Sequence, residues 1–262
     1  MFVMGVDIGS TTSKAVIMDD NKAMISKSLV PVGTGTRGPN EVFQSVLREA
    51  NLDQEQISHI AVTGYGRTHF EKSDRVVSEV SCHAKGIHYL LPEVRTLIDI
   101  GGQDVKAIKL DSDGRLENFL MNDKCAAGTG RFLDVMARVL DLNVDDLGRI
   151  SATAQTAVAI SSTCAVFAES EVISRLASNE KLENIVAGIH RSVAKKVVNL
   201  ALRIGISPEV ALSGGVSKNQ GVVKALEDEL NMPIRTHQDG QLAGAIGAAL
   251  FALDDIKNTD TK

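Results

Sequence analysis

Two cysteines stand in similar local settings. Cys125 and Cys164 each lie among small residues, just before a segment whose apolar residues recur at helical spacing. A thiol at the amino end of a helix lies near the partial positive charge of unpaired backbone N–H groups, which favours the thiolate, the form that binds metal. For a single cysteine the alternative is a small buried hydrophobe, and we adopt that interpretation for Cys82, which falls inside an apolar-periodic segment.

The number of thiols limits the kind of metal site. Two thiolates supply half of a four-ligand iron–sulfur or zinc site. Zinc sites usually contain cysteines separated by two residues, and the sequence has no such pair. A two-fold dimer would double the ligands and complete the set. The cysteines therefore indicate a cluster that bridges two copies of the chain.

Three glycine-containing turns, DIGSTTSK, DIGGQD and LSGGVSKN, point to a second chemistry. Glycine lets the backbone approach an anion, and successive N–H groups can then surround a phosphate. A carboxylate at a strand end would hold Mg²⁺ through water, because phosphate-bound Mg²⁺ needs only one or two carboxylates. We assign catalytic roles to Asp7, Asp99 and Gln103, and nucleotide contacts to Gly9, Ser10, Thr11, Thr12, Ser13, Lys14, Gly101, Gly102, Gln103, Gly214 and Gly215.

Other glycine turns allow two interpretations each. Gly128 and Gly130 would reach both cluster and nucleotide, or would only form the turn into the next helix. Gln241 opens the last helical segment, where it would lie near adenine or serve helix packing. The segment Thr63–Arg67 (TGYGR) would contact the second hairpin or a partner protein, or is a strand-end turn that requires its glycines. The histidines show no spacing typical of a metal site.

An internal repeat supplies the elements that position these residues. Val6–Asn21 aligns without a gap with Ile98–Asp113. Each copy predicts two strands joined by a glycine-rich turn, then an Asp/Asn/Gly turn and a third strand. The identical pairs are Asp7/Asp99, Ile8/Ile100, Gly9/Gly101, Lys14/Lys106, Ala15/Ala107 and Asp19/Asp111.

Helices and further strands follow each hairpin, as apolar periodicity predicts. We predict helices at 41–50, 78–91, 132–140, 166–177, 181–204, 218–230 (with Ser217 as N-cap) and 240–253, and strands at 57–64, 209–215 and 232–237. Gly205 should end the long helix as a C′ residue. Two domains that touch along a cleft are expected: 1–94, with a C-terminal helix in 241–262 packing back on it, and 95–240, which carries the cysteines and the dimer interface.

Composition excludes several classes of function. The chain has 28 basic and 33 acidic residues, which does not suggest a nucleic-acid surface. It shows no signal peptide and no apolar run long enough to cross a bilayer. Three cysteines do not form a disulfide framework. We expect a cytoplasmic protein without nucleic-acid or membrane partners.

The three turns, taken in this order, resemble the superfamily of actin, the large heat-shock chaperones and the acetate and sugar kinases. This resemblance covers nearly the whole chain. It implies an α/β fold of two RNase H-like domains with a central nucleotide cleft that binds ATP or ADP.

A narrower resemblance is carried by GVDIGSTTSK, TGYGR, EVSCHAKG, DIGGQD, NDKCAAGTGRF, SSTCAVFAESEVI and LSGGVSKN. Together they are similar to the activators of 2-hydroxyacyl-CoA dehydratases, within the BadF/BadG/BcrA/BcrD ATPase family. The resemblance implies a homodimer with one 4Fe-4S cluster, ligated by Cys125 and Cys164 of each chain. It also implies an electron from ferredoxin or flavodoxin that Mg²⁺-dependent ATP hydrolysis drives to a dehydratase.

Two alternatives remain at this point. A small-molecule kinase of the same superfamily, similar to type III pantothenate kinase, would explain the phosphate turns but not the paired cysteines. An actin-like or chaperone-like binding module would need additional segments, for which 262 residues leave little room.

Overall fold

The computed structural model describes residues 1–161 and 163–259 and divides into two compact units. Unit 1 consists of Met1–Val94, Leu110–Leu116 and Gln238–Lys262, and unit 2 of Arg95–Lys109 and Glu117–His237. The predicted domain division stays a prediction, and the units differ from it at 110–116 and 238–240. Residues 260–262 of the predicted C-terminal helix and Ser162 of the second cysteine motif lie outside the described residues.

Unit 1 is built on a five-stranded sheet of order β3-β2-β1-β4-β5. The strands are β1 (Phe2–Ile8), β2 (Ser13–Asp19), β3 (Met24–Val30), β4 (Ile57–Thr63) and β5 (Arg75–Val76). β1, β2 and β3 pair antiparallel, whereas β4 runs parallel to β1 and β5 parallel to β4. The predicted first hairpin and its third strand are confirmed.

Three helices cover this sheet: α1 (Gly38–Ala50), α2 (Glu79–Leu90) and α8 (Ala243–Thr259). α8 approaches both β1 and α2 closely because glycine stands at the contact points. A Cβ added to Gly5 would lie 2.0 Å from the oxygen of Ala245, and one added to Gly247 would lie 1.9 Å from the oxygen of Cys82. Such distances exclude any side chain, so these glycines set how deeply α8 packs.

Unit 2 repeats the strand arrangement, with order β10-β9-β6-β7-β8. Its strands are β6 (Thr96–Ile100), β7 (Val105–Leu110), β8 (Leu116–Asn122), β9 (Val210–Ser213) and β10 (Ile234–Arg235). β6 pairs antiparallel with β7 and parallel with β9, as β1 does with β2 and β4. The internal repeat read from sixteen residues therefore extends to a whole sheet.

The helices of unit 2 are α3 (Gly130–Val139), α4 (Leu147–Ser151), α5 (Ala165–Ala177), α6 (Leu182–Leu202) and α7 (Gln220–Leu230). Their buried apolar faces, including Phe132, Val172 and Ile189, form one core with the sheet. Gly205 has φ +75° just beyond α6, but it follows the C-cap Arg203 by two residues rather than one, so its predicted C′ position was wrong by one residue. Within the described chain, no helix is both long and apolar enough to cross a bilayer.

The predicted start of α7 was wrong. Asn219, not Ser217, is the N-cap, because its side-chain oxygen accepts hydrogen bonds from the N–H groups of Gly221 and Val222 at 3.0 and 3.2 Å. Ser217 instead donates its hydroxyl to the oxygen of Gly214 at 2.8 Å, inside a 3₁₀ turn over Gly215–Lys218. This 3₁₀ turn lies between Gly214 and the start of α7 at Gln220, so the glycine pair does not lead directly into the helix.

Candidate functional site

The first candidate nucleotide turn is the tip of the β1–β2 hairpin. Strand register places Lys14 opposite Asp7, and Lys14 Nζ donates to Asp7 Oδ2 at 3.1 Å. The N–H of Gly9 donates to the oxygen of Thr12 at 3.0 Å and closes the turn. Asp7 is 1% exposed, and its Oδ1 has no hydrogen-bond partner among the described residues. A buried carboxylate oxygen in this state is suited to a water of a hydrated cation.

The hydroxyl residues of this turn differ in availability. Ser10, Thr11 and Thr12 lie in the turn itself and are partly exposed. Ser13 is fully buried at the start of β2, and its Oγ donates to the oxygen of Val32 at 2.9 Å. Its only O–H donor is therefore used by the fold rather than offered to a ligand.

The second hairpin tip has the same construction with one difference. Lys106 Nζ donates to Asp99 Oδ2 at 3.2 Å and also pairs with Asp104, and the N–H of Gly101 donates to the oxygen of Asp104 at 2.9 Å. Asp99 Oδ1 accepts a hydrogen bond from Ser213 Oγ at 2.6 Å. Both oxygens of Asp99 thus have partners, whereas Asp7 keeps one unpaired.

Unit 2 brings several predicted nucleotide contacts together. The N–H of Gly130 donates to the oxygen of Gly101 at 2.9 Å, and that of Arg131 to the oxygen of Gly102 at 2.8 Å, so the hairpin tip is bonded to the start of α3. Gln103 is exposed at the same tip. Gly128 lies elsewhere: a Cβ there would be 3.2 Å from Cγ of Lys196, so this glycine faces α6.

The glycine turns that follow β4 and β9 are structural counterparts. Gly64 has φ +91° and Gly214 has φ +81°, conformations that side chains disfavour. A Cβ at Gly64 would lie 2.5 Å from the oxygen of Ile8, and one at Gly214 would lie 2.2 Å from that of Ile100. The strand-end interpretation of Thr63–Arg67 is therefore confirmed. The internal sequence repeat does not reveal that these two turns correspond, because they share only a hydroxyl residue followed by glycine: Thr63-Gly64 and Ser213-Gly214. Gly215, the other predicted contact, is exposed beside Gly214.

The start of α8 lies among residues around Asp7 whose grouping the sequence did not reveal. A Cβ at Gly244 would lie 2.8 Å from Asp7 Oδ2 and 3.0 Å from Nε2 of His83, so carboxylate and imidazole converge on this glycine. Glu79 lies 4.0 Å from His83 Nε2, one helical turn earlier. Gln241 Oε1 is buried and accepts no hydrogen bond within the described ranges. No spacing in the sequence indicated this cluster, since its members come from three separate elements.

The two candidate metal-binding cysteines occupy different positions relative to their helices. Cys164 is the N-cap of α5, as predicted. Cys125 is not at a helix start, because α3 begins at Gly130 and Thr129 is its N-cap. An extra turn intervenes, closed by the N–H and hydroxyl of Thr129, which donate to the oxygen of Ala126 at 3.0 and 2.7 Å. The helix-dipole argument therefore applies to Cys164 only.

Both cysteines are free of disulfide bonds and partly exposed. Across residues 1–161 and 163–259, no group of three or more His, Cys, Asp or Glu side chains forms a metal site within one chain. The third cysteine, Cys82, is fully buried in α2, and burial raises the pKa of its thiol to about 12. Its predicted role as a small hydrophobe is confirmed.

An exposed apolar face follows Cys164 along α5. Val166 and Phe167 are 66% and 62% exposed, and Ile173 and Leu176, also exposed, follow about two and three turns after Val166. Apolar side chains clustered on one exposed surface are typical of an interaction site.

Two sheets of equal strand order, each with a glycine-tipped hairpin, define an α/β protein of the actin and sugar-kinase class. A ROK family glucokinase from Streptomyces griseus shares this fold, with a TM-score of 0.58 at 13% identity over 97% of this chain and 100% of that chain. Within this class, the chain belongs to the BadF/BadG/BcrA/BcrD ATPase family, whose model matches residues 4–252. The predicted fold class and family are confirmed.

Relatives within the family cover the chain almost completely. The activator of the 2-hydroxyisocaproyl-CoA dehydratase from Clostridium difficile, solved with bound ADPNP, is 52% identical with a TM-score of 0.95, over 100% of this chain and 97% of that chain. Component A of the (R)-2-hydroxyglutaryl-CoA dehydratase from Acidaminococcus fermentans is 50% identical with a TM-score of 0.95, over 98% and 99%. An activator of lactoyl-CoA dehydratase from Anaerotignum propionicum is 48% identical over 97% of this chain and 98% of its own length.

Proposed function

We propose that the protein is an ATP-hydrolysing activator that delivers a low-potential electron to a 2-hydroxyacyl-CoA dehydratase. The electron would come from ferredoxin or flavodoxin and pass through a 4Fe-4S cluster shared by two copies of the chain. The observation that carries this proposal is the pair of free, partly exposed cysteines, Cys125 and Cys164, in an ATPase-family chain. Full-length identity near one half to dehydratase activators supports it. A cytoplasmic location is part of the proposal.

The proposed nucleotide site depends most on Asp7. Its unpaired, buried Oδ1 fits a water of hydrated Mg²⁺, and the ammonium of Lys14 at 3.1 Å from Oδ2 keeps the carboxylate oriented. The backbone N–H groups and hydroxyls at Ser10–Thr12 and the glycines at Gly101 and Gly102 would bind phosphate oxygens. For the adenosine we propose Gly214, Gly215 and the side chain of Gln241.

Asp99 would act differently from Asp7. Ser213 and Lys106 already occupy its two oxygens, so Asp99 would orient neighbouring groups rather than hold a cation water directly. Gln103, exposed at the same hairpin tip, is free to reach a phosphate or the attacking water. The two duplicated carboxylates would therefore have different roles: Asp7 would hold a water of the cation, and Asp99 would orient neighbouring groups.

The cysteines fit an iron–sulfur cluster in their chemistry and their surroundings. Iron–sulfur clusters prefer four thiolates, and two copies of Cys125 and Cys164 supply them. Both cysteines are partly exposed, and each is followed by a small residue, Ala126 or Ala165. The cluster, when bound, supplies a one-electron carrier. The protein's part is to hold it where two copies meet.

A second copy of the chain would also cover the exposed face of α5. Val166, Phe167 and Ile173 begin two residues after Cys164, so a dimer that joins the thiols would bury these side chains as well. Burial of apolar area contributes about 25 cal/mol per Å². The apolar face thus favours the homodimer that the ligand count requires. The kinase alternative assigns no role to either feature.

Metal and mass analysis of anaerobically purified protein tests the proposal. We expect a dimer with about four iron atoms and a broad absorption band at about 400 nm. Cys125→Ala and Cys164→Ala should each lose iron and the band while ATP binding survives. Cys82→Ala is the matched control and should retain iron, because its thiol is buried inside α2. Full iron in either ligand variant would contradict the assignment, as would an iron-free monomer for the unmodified chain.

A further inference from the structure

A groove of 510 Å³ lies in unit 2 between α6 and the edge strand β8. Its rim consists of Met121, Asn122, Thr163, Lys196, Asn199 and Arg203, and three aliphatic side chains form its floor. We call this feature the basic groove. Its size falls within the range of about 300–1,000 Å³ that is usual for binding pockets. None of its residues belongs to the nucleotide turns described above.

The basic groove carries positive charge that the protein does not neutralise. Lys196 lies on α6 and Arg203 is the C-cap that follows this helix; they are seven residues apart, so about two helical turns separate them on one face. Neither side chain has a hydrogen bond or ion pair with any residue in the described ranges. By contrast, Lys124 pairs with Asp123 at 3.1 Å, and Lys109 on β7 pairs with Glu117 on β8 at 3.3 Å. Both groove cations, Lys196 and Arg203, are thus unpaired among the described residues of a chain whose net charge is −5.

Apolar surface accompanies the charge. Phe119 and Met121 alternate on β8, which puts them on one face of the strand, and both are more than 40% exposed. β8 is an edge strand with only β7 beside it. Apolar centres flanked by charged rims are typical of protein docking surfaces rather than of small-molecule sites.

The groove adjoins both cysteine segments. Thr163 immediately precedes Cys164, and Asn122 Nδ2 donates to the backbone oxygen of Cys125 at 3.4 Å. The aliphatic stem of Lys196 packs over Gly128, in the turn that follows Cys125. A protein seated on the groove would therefore contact the segments that hold both proposed cluster ligands.

We propose that the basic groove is the docking surface for an acidic electron-carrier protein of the ferredoxin kind. This inference rests on the proposed function, because it needs a redox centre at Cys125 and Cys164. Cys125 and Cys164 would hold the cluster that accepts one electron from the reduced carrier, which would be oxidised in the same step. No bond or proton changes. Lys196 and Arg203 steer and hold the carrier's carboxylates, and Met121 provides the apolar contact.

Binding of an oxidised bacterial two-cluster ferredoxin tests the proposal without turnover. The test variant is Lys196→Gln with Arg203→Gln. The matched control, Arg191→Gln with Lys195→Gln, removes two charges from exposed positions of the same helix that do not line the groove. By calorimetric titration at low ionic strength, the groove variant should bind about tenfold more weakly, with a flatter salt dependence, and the control should stay within about twofold of the unmodified protein.

Further measurements on the groove variant show which protein binds to the basic groove. Cluster reduction by dithionite and ATP hydrolysis should be unchanged in the groove variant, whereas its reduction by ferredoxin should slow. Equal ferredoxin affinity in the groove variant and the unmodified protein overturns the proposal, as does absence of ferredoxin binding to the unmodified protein. Weaker binding of the dehydratase alone, or loss of the dimer, assigns the groove to that protein or to a second copy and also overturns it. Failure of the proposed function is separate, because it appears as missing iron in the unmodified protein.

Discussion

Acidification from pH 7 to pH 5 is expected to destabilise unit 2 through one buried histidine, His190. This residue is 1% exposed on α6, and burial lowers the pKa of its imidazole to about 4 from an ordinary value of 6.5. Its Nδ1 lies 3.0 Å from Ser151 Oγ, and its Nε2 lies 3.2 Å from Asn219 Nδ2. A neutral imidazole suits both neighbours: Nδ1–H donates to the hydroxyl and Nε2 accepts from the amide. Protonation of His190 would put an N–H on Nε2 that faces the N–H of Asn219 Nδ2, and two donors cannot form a hydrogen bond with each other.

The magnitude follows from proton linkage. Between pH 6.5 and pH 4 the unfolded chain binds a proton at this residue that the folded chain does not, so the free energy of unfolding falls as pH falls. The stability that depends on neutral His190 is complete above pH 6.5 and is lost progressively down to about pH 4. By pH 5 the loss amounts to about 2 kcal/mol. Other groups also titrate in this range, so a variant must isolate the contribution.

Urea unfolding of the unmodified protein, His190→Gln and His69→Gln at pH 7 and pH 5 provides the assay. His69 is exposed, so its replacement is the control for removing an imidazole. His190→Gln should be less stable at pH 7, because it disturbs the hydrogen bonds to Ser151 and Asn219, yet it should lose about 2 kcal/mol less on acidification. The control should follow the unmodified protein. Parallel pH dependence in His190→Gln and the unmodified protein would refute the reasoning.

The remaining predictions concern a cap, a turn and a carboxylate. Asn219→Ala should lower the free energy of unfolding by about 1–2 kcal/mol, because it removes the N-cap of α7, and chemical denaturation should show no comparable loss for Lys224→Ala on the exposed face of that helix. Gly205→Ala should cost about 1 kcal/mol for its positive φ alone, and Gly214→Ala clearly more, since its Cβ would also meet a backbone oxygen; equal costs would argue against the close approach. Asp7→Asn should reduce Mg²⁺-dependent ATP hydrolysis about 10²-fold with iron content unchanged, and turnover at the unmodified rate would exclude Asp7 as the cation ligand.

Much of the architecture could be predicted from local patterns. The hairpins followed from apolar strand segments on either side of glycine turns, and the repeat Val6–Asn21 over Ile98–Asp113 located both candidate phosphate turns. Even the lysine partners were implicit, because antiparallel register across a tight turn brings Lys14 opposite Asp7 and Lys106 opposite Asp99. Local chain geometry alone determines these relations.

Local patterns gave wrong helix starts where neighbouring residues could each take the N-cap position. Ser217 and Asn219 are both good caps, and Asn219 took the position because Ser217 donates backward to Gly214. Cys125 looked like a helix-start thiol, but the AAGT segment forms a turn of its own before α3. In both cases a hydrogen bond between residues three apart moved the helix start by a few residues. Residue propensities do not predict which of two such bonds will form.

The sequence by itself determined the duplicated hairpins, the glycine turns and the settings of the two candidate thiols, because each depends on residues close together in the chain. Only the tertiary structure decided that Asp7 keeps an unpaired oxygen while Asp99 does not, and that His83 and Gly244 meet beside Asp7. It likewise placed Lys196 and Arg203 next to the cysteine segments. The physical reason is that burial and pairing of a charge depend on every element packed around it, and these elements come from distant parts of the chain.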